Sequence, residues 1–436
     1  MEVIHLGIAG FGTVGSGLAK ILHENGSWIE KRLGKKIAIK SVLVRDLKKP
    51  RAFQLDDSVT VTDNPEVLYN DPEVDIVVEL IGGIETAKKL ILGAIANGKH
   101  VVTANKHLLA EHGKELFASA AENGCGLFYE ASTAGGIPVV QTLKESLAGD
   151  KIMKLSGILN GTANYILSEM TTRGLNFTTA LTQAQDLGYA EADPTFDVEG
   201  VDAAHKLVVL TRLAYGQDYP LSKLPVTGIT GVTPLDIQFA REFGYRIKLI
   251  ASVQEVDGKL DASVQPALVR YTFLLARVGG NYNAVRIEGN AVGPVMLHGQ
   301  GAGDKPTGSA VLADVMNLCR HMNRAGCKES YQPDNTGFCN APLPEANILE
   351  PEQAESEYYF RFTVADRTGV MAAISTAMAT HGISIAQAVQ KGEEDDTEIP
   401  IVFLTHHATA KAAKDTIDEI DAMDFTLKPA VCFKIL

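Results

Sequence analysis

The sequence predicts an α/β protein in three parts: a doubly wound parallel sheet first, an α+β unit in the middle and a βαββαβ unit at the C-terminus. Three observations carry this expectation. Short apolar runs alternate with helical stretches from Val3 to Tyr129, and the first run ends in a glycine-rich turn. After Pro138 the alternation gives way to helices with a few longer strands. From Tyr358 a compact strand–helix–strand–strand–helix–strand order begins. At 436 residues the chain is long enough for two or three separate cores.

A formal charge of −13 lacks the basic footprint of a nucleic-acid binder. The five cysteines are an odd count without a CxxC pair, which fits reduced thiols in a cytoplasmic protein. No apolar run reaches the length of a membrane span, and the N-terminus lacks the basic region and cleavage site of a signal peptide.

Val3 to Ala9 reads as the first strand, and Ser16 to His23 as part of a helix. Between them stand Gly10, Phe11, Gly12, Thr13, Val14 and Gly15. Strand, glycine turn and helix in that order fit a dinucleotide site. Gly10 permits the turn, Gly12 lets backbone reach a pyrophosphate, and Gly15 allows close helix–strand packing. The strand Ile37 to Val44 ends in Arg45 and Asp46, with Lys48 and Lys49 behind. An arginine there suits the 2′-phosphate of NADP, whereas the neighbouring acid also suits the ribose of NAD. Val74 to Ile81 and His100 to Thr103 read as further strands, with a helix from Thr86 to Asn97 between them. Thr103 and Lys106 lie at a strand's carboxyl end, where ligands of such sheets sit. After Gly126 to Tyr129 comes a small-residue loop, Glu130 to Pro138. Its acid and main-chain carbonyls are a ligand set for a hard cation, and equally the makings of an ordinary glycine–proline loop.

In the middle part, Val139 to Ala148 reads as a linking helix, Ile152 to Leu159 as a strand, and Ala163 to Gly174 and Thr178 to Gly188 as helices. Then Glu191, Asp193, Asp197, Glu199 and Asp202 precede Lys206, and a helix buried on most sides runs to about Ala214. Asp202 and Lys206 stand four apart on one helical face, which suits both a structural ion pair and a positioned proton donor. Ile247 to Val256, Ser263 to Val269 and Ala284 to Gly289 read as strands. A glycine-rich loop, Gly299 to Thr307, leads to a helix from Gly308 to Arg320. Prolines from Pro333 to Pro351 mark a linker.

Together GFGTVG at 10–15, TANK at 103–106, EASTAGGIP at 130–138, LGYAEADP at 187–194, DVEGVDAAHK at 197–206 and GAGDKPT at 301–307 resemble the homoserine dehydrogenases. The resemblance covers about residues 1–330 and implies a Rossmann domain over 1–137, a substrate and dimerisation domain over 138–300 and a return segment over 301–327; the proline-marked linker spans 328–355. It implies interconversion of L-homoserine and L-aspartate 4-semialdehyde with NADP or NAD, in threonine and methionine synthesis. It gives Lys206 the proton transfer, Lys106 a place between substrate and nicotinamide, and Glu191 and Asp202 the substrate, whose ammonium calls for carboxylates that Glu191 with Asp202 or Asp197 supplies. It places Gly188 and Gly303 beside the cofactor. Glu130, Thr133, Gly135 and Ile137 match a monovalent-cation loop for sodium or potassium, the last three through carbonyls. A homodimer or homotetramer is expected. The segment 356–436, with Asp366-Arg367-Thr368-Gly369-Val370 after its first strand, resembles an ACT domain and implies an amino-acid effector, L-threonine by pathway logic. It departs from the ACT pattern at Thr368, usually proline, and Ser384, often asparagine. Other readings are a non-catalytic amino-acid sensor and another semialdehyde dehydrogenase on the same fold; the latter needs a catalytic cysteine.

Overall fold

The structure, a computed structural model, describes residues 2–322, 334–339, 342–392 and 397–436. In chain order it opens with β1 (Val3–Ala9), α1 (Thr13–Leu33), β2 (Lys36–Leu43), β3 (Thr60–Thr62), α2 (Glu66–Asn70), β4 (Ile76–Glu79), α3 (Glu85–Ala96), β5 (His100–Thr103), α4 (Lys106–Glu122) and β6 (Leu127–Phe128). Then follow α5 (Val139–Gln141), β7 (Ile152–Ile158), α6 (Gly161–Arg173), α7 (Phe177–Asp186), α8 (Thr195–Val198), α9 (Val201–Tyr215), α10 (Pro234–Glu242), β8 (Tyr245–Val256), β9 (Lys259–Arg270), β10 (Tyr282–Gly289), β11 (Gly293–Gln300) and α11 (Asp304–His321). The last part holds β12 (Glu355–Ala365), α12 (Val370–Thr380), β13 (Ile385–Gln390), β14 (Glu398–Thr405), β15 (Ala408–Thr409), α13 (Ala410–Asp421) and β16 (Thr426–Ile435).

Two compact units divide these elements. One comprises 1–155, 202–223 and 282–346; the other comprises 156–201, 224–281 and 347–436. The units cut across the segment boundaries expected from the sequence, because the chain crosses between them repeatedly. Lys106 and Lys206 both lie in the first unit.

In the first unit a parallel six-stranded sheet runs β3-β2-β1-β4-β5-β6. The order reverses between β1 and β4, which is where such sheets bind dinucleotides. Leu6, Ile8 and the consecutive Ile76, Val77 and Val78 are wholly buried, so these strands carry near-continuous apolar runs rather than alternation. Helix α11 belongs to the same core through Val311, Val315 and Leu318. Two glycines make that docking close. A Cβ on Gly17 would lie 2.1 Å from the Asp304 carbonyl oxygen, and one on Gly308 would lie 2.8 Å from the Leu18 nitrogen.

In the second unit the sheet order is β8-β9-β16-β12-β14-β13. The C-terminal strands therefore continue the sheet of β8 and β9 instead of hanging beyond a linker. The joint is parallel pairing of Lys434 with Ala267 and Ile435 with Leu268. Within β12, Tyr358, Phe360, Phe362 and Val364 face the C-terminal core with Ile374 and Phe403. The alternate residues Tyr359 and Arg361 meet Asp236 of α10, so both faces of the strand are covered.

Several local expectations change. The linking helix over 139–148 is one short helix followed by a wider π-type turn, Thr142–Ser146. Strand β11 and helix α10 were not foreseen. Glycines at both ends of β11 read as loop, and α10 is short, though its Thr233–Asp236 capping box is a sequence-level start signal. Helix α11 begins at Asp304 rather than Gly308. Part of the proline-marked linker, 328–333 and 340–341, lies outside the described residues. The Asn335 segment of it packs tightly: its side chain accepts from the Leu127 N–H at 2.8 Å and its carbonyl from the Tyr129 hydroxyl at 2.9 Å. Among the described residues Cys125, Cys319, Cys339 and Cys432 are free thiols. No described helix is long and apolar enough to cross a membrane.

Candidate active site

The nucleotide cleft lies at the carboxyl ends of β1, β2 and β4 and has a volume of about 1610 Å³. Gly10, Phe11, Gly12, Thr13, Arg45, Lys49, Arg51 and Asp304 line it. The three glycines of the turn separate by what a side chain would meet. At Gly10, with φ +96°, a Cβ would lie 2.6 Å from the Leu80 carbonyl oxygen. At Gly15 it would lie 2.3 Å from the Gly10 carbonyl oxygen. At Gly12 it would meet nothing within 4 Å, so the space there is cleft. Helix α1 starts at Thr13 without a side-chain cap, and its first N–H groups and positive dipole end suit a pyrophosphate.

Glu79, which the sequence shows only as an acid in an apolar strand, shapes the neighbouring loops. Its buried carboxylate accepts from the Ile81 and Gly82 N–H groups at 2.9 and 3.1 Å and from the Thr103 hydroxyl at 2.6 Å. Burial raises its pKa, and these hydrogen bonds offset part of the rise. Thr103 Oγ1 accepts from Asn105 N–H at 3.0 Å, and Asn105 caps α4 by accepting from Leu108 N–H at 3.1 Å. That chain of bonds fixes where α4 begins, and its first residue is Lys106.

Lys106 and Lys206 meet on one carboxylate. Asp202 Oδ1 lies 3.1 Å from Lys106 Nζ, and its Oδ2 accepts from Lys206 Nζ at 2.7 Å. Lys206 and Asp202 are each 8% exposed, whereas the Lys106 side chain is 38% exposed. Helices α4 and α9 are held together by Arg212, which donates to the Leu109 carbonyl at 3.3 Å and to Asp218 at 2.6 Å. His107 and His205 stack beside the lysines, ring centroids 4.5 Å apart. Burial, with His107 next, lowers His205 to about 4. The sequence reading does not single out Arg212 or His205, though a lone arginine just after the apolar run 207–210 of a buried helix is a usable signal.

The Glu130 loop is almost wholly buried. The Glu130 carboxylate accepts from Val140 N–H at 2.9 Å and Gln141 N–H at 2.8 Å, so it anchors the start of the following helix. Burial raises it to about 7. Ala134 and Gly135 are consecutive left-handed residues, φ 52° and 56°, which turns the carbonyls of the loop. Thr133 Oγ1 is buried without a hydrogen-bond partner. In the second unit, Asp197 accepts from Asn160 Nδ2 at 2.6 Å. Glu191 is exposed there, its carbonyl accepting from Gln185, and Gly188 takes φ +73° after α7. Gly303 precedes α11 in the first unit with φ +133°.

Residues 138–316 match the family model described as homoserine dehydrogenase, and residues 10–130 match its NAD-binding domain. A homoserine dehydrogenase of Neisseria gonorrhoeae is 40% identical over 100% of this chain and 99% of its own. The chain belongs to the homoserine dehydrogenase family. It is an NAD(P)-dependent oxidoreductase of that family, and residues 358–422 match the ACT domain model. A crystal structure of a homoserine dehydrogenase from Thiobacillus denitrificans superimposes with a TM-score of 0.93 at 41% identity, covering 100% of this chain and 99% of that one. A hyperthermophilic archaeal homoserine dehydrogenase in complex with NADPH superimposes with a TM-score of 0.62 at 28% identity, covering 72% of this chain and 97% of that one.

Proposed function

We propose that this homoserine dehydrogenase reduces L-aspartate 4-semialdehyde to L-homoserine, and runs in reverse, with Lys206 as proton donor and acceptor at the substrate oxygen. The observation that carries this reading is the pair of ammonium groups on Asp202. Two cations around one anion leave net positive charge in a mostly buried place, which suits an oxygen that becomes an alkoxide. The bound nicotinamide supplies the hydride. Lys206 gives the proton, Lys106 holds charge at the same oxygen, and Asp202 offsets the repulsion between them. Glu191, Asp202 and Asp197 are assigned to the substrate, whose ammonium calls for carboxylates.

NADP(H) is the preferred cofactor on this account. Arg45, Lys49 and Arg51 line the cleft after β2, a set of cations suited to a 2′-phosphate. Thr103, Gly188 and Gly303 are assigned to the cofactor's surroundings. The buried oxygen-rich loop fits a sodium or potassium ion held by the carbonyls of Thr133, Gly135 and Ile137, with Glu130 supplying negative charge. The unsatisfied Thr133 hydroxyl supports that reading. The ACT domain is assigned to feedback by L-threonine, and the protein to the cytoplasm as a homodimer or homotetramer.

The competing semialdehyde dehydrogenase needs a thiolate nucleophile. Cys125 is buried, and that burial pushes its thiol up. Following NADPH absorbance with aspartate semialdehyde tests the assignment. Loss of NADPH that depends on this substrate supports it, and none over the uncatalysed rate rejects it.

A further inference from the structure

We propose that His107, Glu111 and His205 form a binding site for one divalent transition-metal ion of the zinc class, beside the paired lysines. Each residue offers one ligand atom, and these atoms all lie within 4.8 Å of one another. His107 and Glu111 stand four apart on α4, one turn and one face, with His107 Nε2 2.8 Å from Glu111 Oε1. His205 comes across from α9, so the three atoms converge from two helices that Arg212 already holds together.

The donor set decides the class of ion. Two imidazoles and one carboxylate favour zinc and its neighbours, whereas magnesium and calcium prefer oxygen alone. Three protein ligands leave positions for water, as in open zinc sites. The metal takes the lone pair of the His107 ring nitrogen that now faces Glu111; a neutral ring carrying its proton there shifts it to the other ring nitrogen through solvent, and an imidazolium gives one proton to solvent, so the ligand is a neutral imidazole in either case. The rings are stacked with 19° between their planes, so their in-plane lone pairs lie in two separate, nearly parallel layers. Binding therefore requires one ring to tilt. His107, with a third of its side chain exposed, has solvent on one side, whereas His205 is packed on all sides. Glu111 and Asp202 offset the charge of Lys106 and Lys206 around the ion. His107 follows Lys106 and His205 precedes Lys206, so a bound ion fixes both lysines' neighbours at once. The expected consequence is inhibition.

Titrating Co²⁺ and Zn²⁺ into the full chain tests this, with Cys339, the exposed thiol among the described residues, and Cys327 both replaced by serine. One equivalent of Co²⁺ with the visible absorption of nitrogen and oxygen ligation is expected. His107→Ala and Glu111→Gln should each weaken binding by about tenfold or more. Their melting in chelator should match the parent, which separates lost ligands from lost folding. Zn²⁺ should lower the parent's turnover at the same midpoint as it binds, and leave His107→Ala uninhibited. Absence of a Co²⁺ band at millimolar metal, or equal affinity in parent and both variants, overturns the proposal.

Discussion

Gly113 lies under the guanidinium of Arg212: a Cβ there would sit 2.7 Å from Nη1. The missing side chain lets Arg212 lie across α4 and reach both the Leu109 carbonyl and Asp218. That contact sets the spacing of the helices carrying Lys106 and Lys206. Gly113→Val should push the helices apart, at a cost of about 1–3 kcal/mol from overpacking. Turnover should fall roughly 10- to 100-fold because the lysines no longer share Asp202 at its present distances. Steady-state kinetics beside NADPH titration checks it. Unchanged kcat would show that the spacing does not matter.

Gly10 and Gly12 should fail in different ways. Gly10→Ala forces a Cβ against the Leu80 carbonyl in a left-handed conformation, so its melting temperature should drop. Gly12→Val points into open cleft, so stability should hold while NADPH affinity falls roughly tenfold or more. Thermal melts and cofactor titration on both variants read the contrast, and equal melting losses would contradict it.

Arg361 and Asp236 form a buried bidentate pair at 2.6 and 3.2 Å, with Asp236 also accepting from the Tyr359 hydroxyl at 3.0 Å. Removing one partner strands the other charge. Arg361→Met should cost about 3–5 kcal/mol in urea unfolding, and Arg361→Met with Asp236→Leu should recover part of that. Additive losses in the double variant would deny the coupling.

Lys248 supplies a pH signature. It is buried, donating to Asn164 Oδ1 at 2.9 Å and the Val278 carbonyl at 2.7 Å, and burial lowers it from 10.5 to about 8. Below that value both folded and unfolded chains carry the proton. Between about 8 and 10.5 only the unfolded chain does, so stability rises with pH across this window. The rise attributable to Lys248 is on the order of 3 kcal/mol. Urea unfolding of the parent and Lys248→Met at both ends of the window checks it. Parallel profiles for the two would refute it.

The sequence made the first sheet legible because Gly10, Gly12 and Gly15 stand between a buried strand and a helix, and local chemistry dictates that turn. It made Asp202 and Lys206 legible because four-residue spacing on a helix is a short-range fact. It did not reveal that Lys106 shares the same carboxylate, since that depends on Gly113 and Arg212, ninety-nine positions apart. Nor did it reveal that β16 would join β9, or that Arg361 would find Asp236. Those pairings depend on how distant segments pack, and a proline-marked stretch between them read as a separating linker.

The most direct test of the two-lysine account is a stopped-flow single turnover of Lys206→Met with NADPH and aspartate semialdehyde, beside NADPH binding to the same variant. NADPH affinity near that of the parent is expected, with a reduction step slowed by roughly 10²- to 10⁴-fold. A reduction step at the parental rate would contradict it.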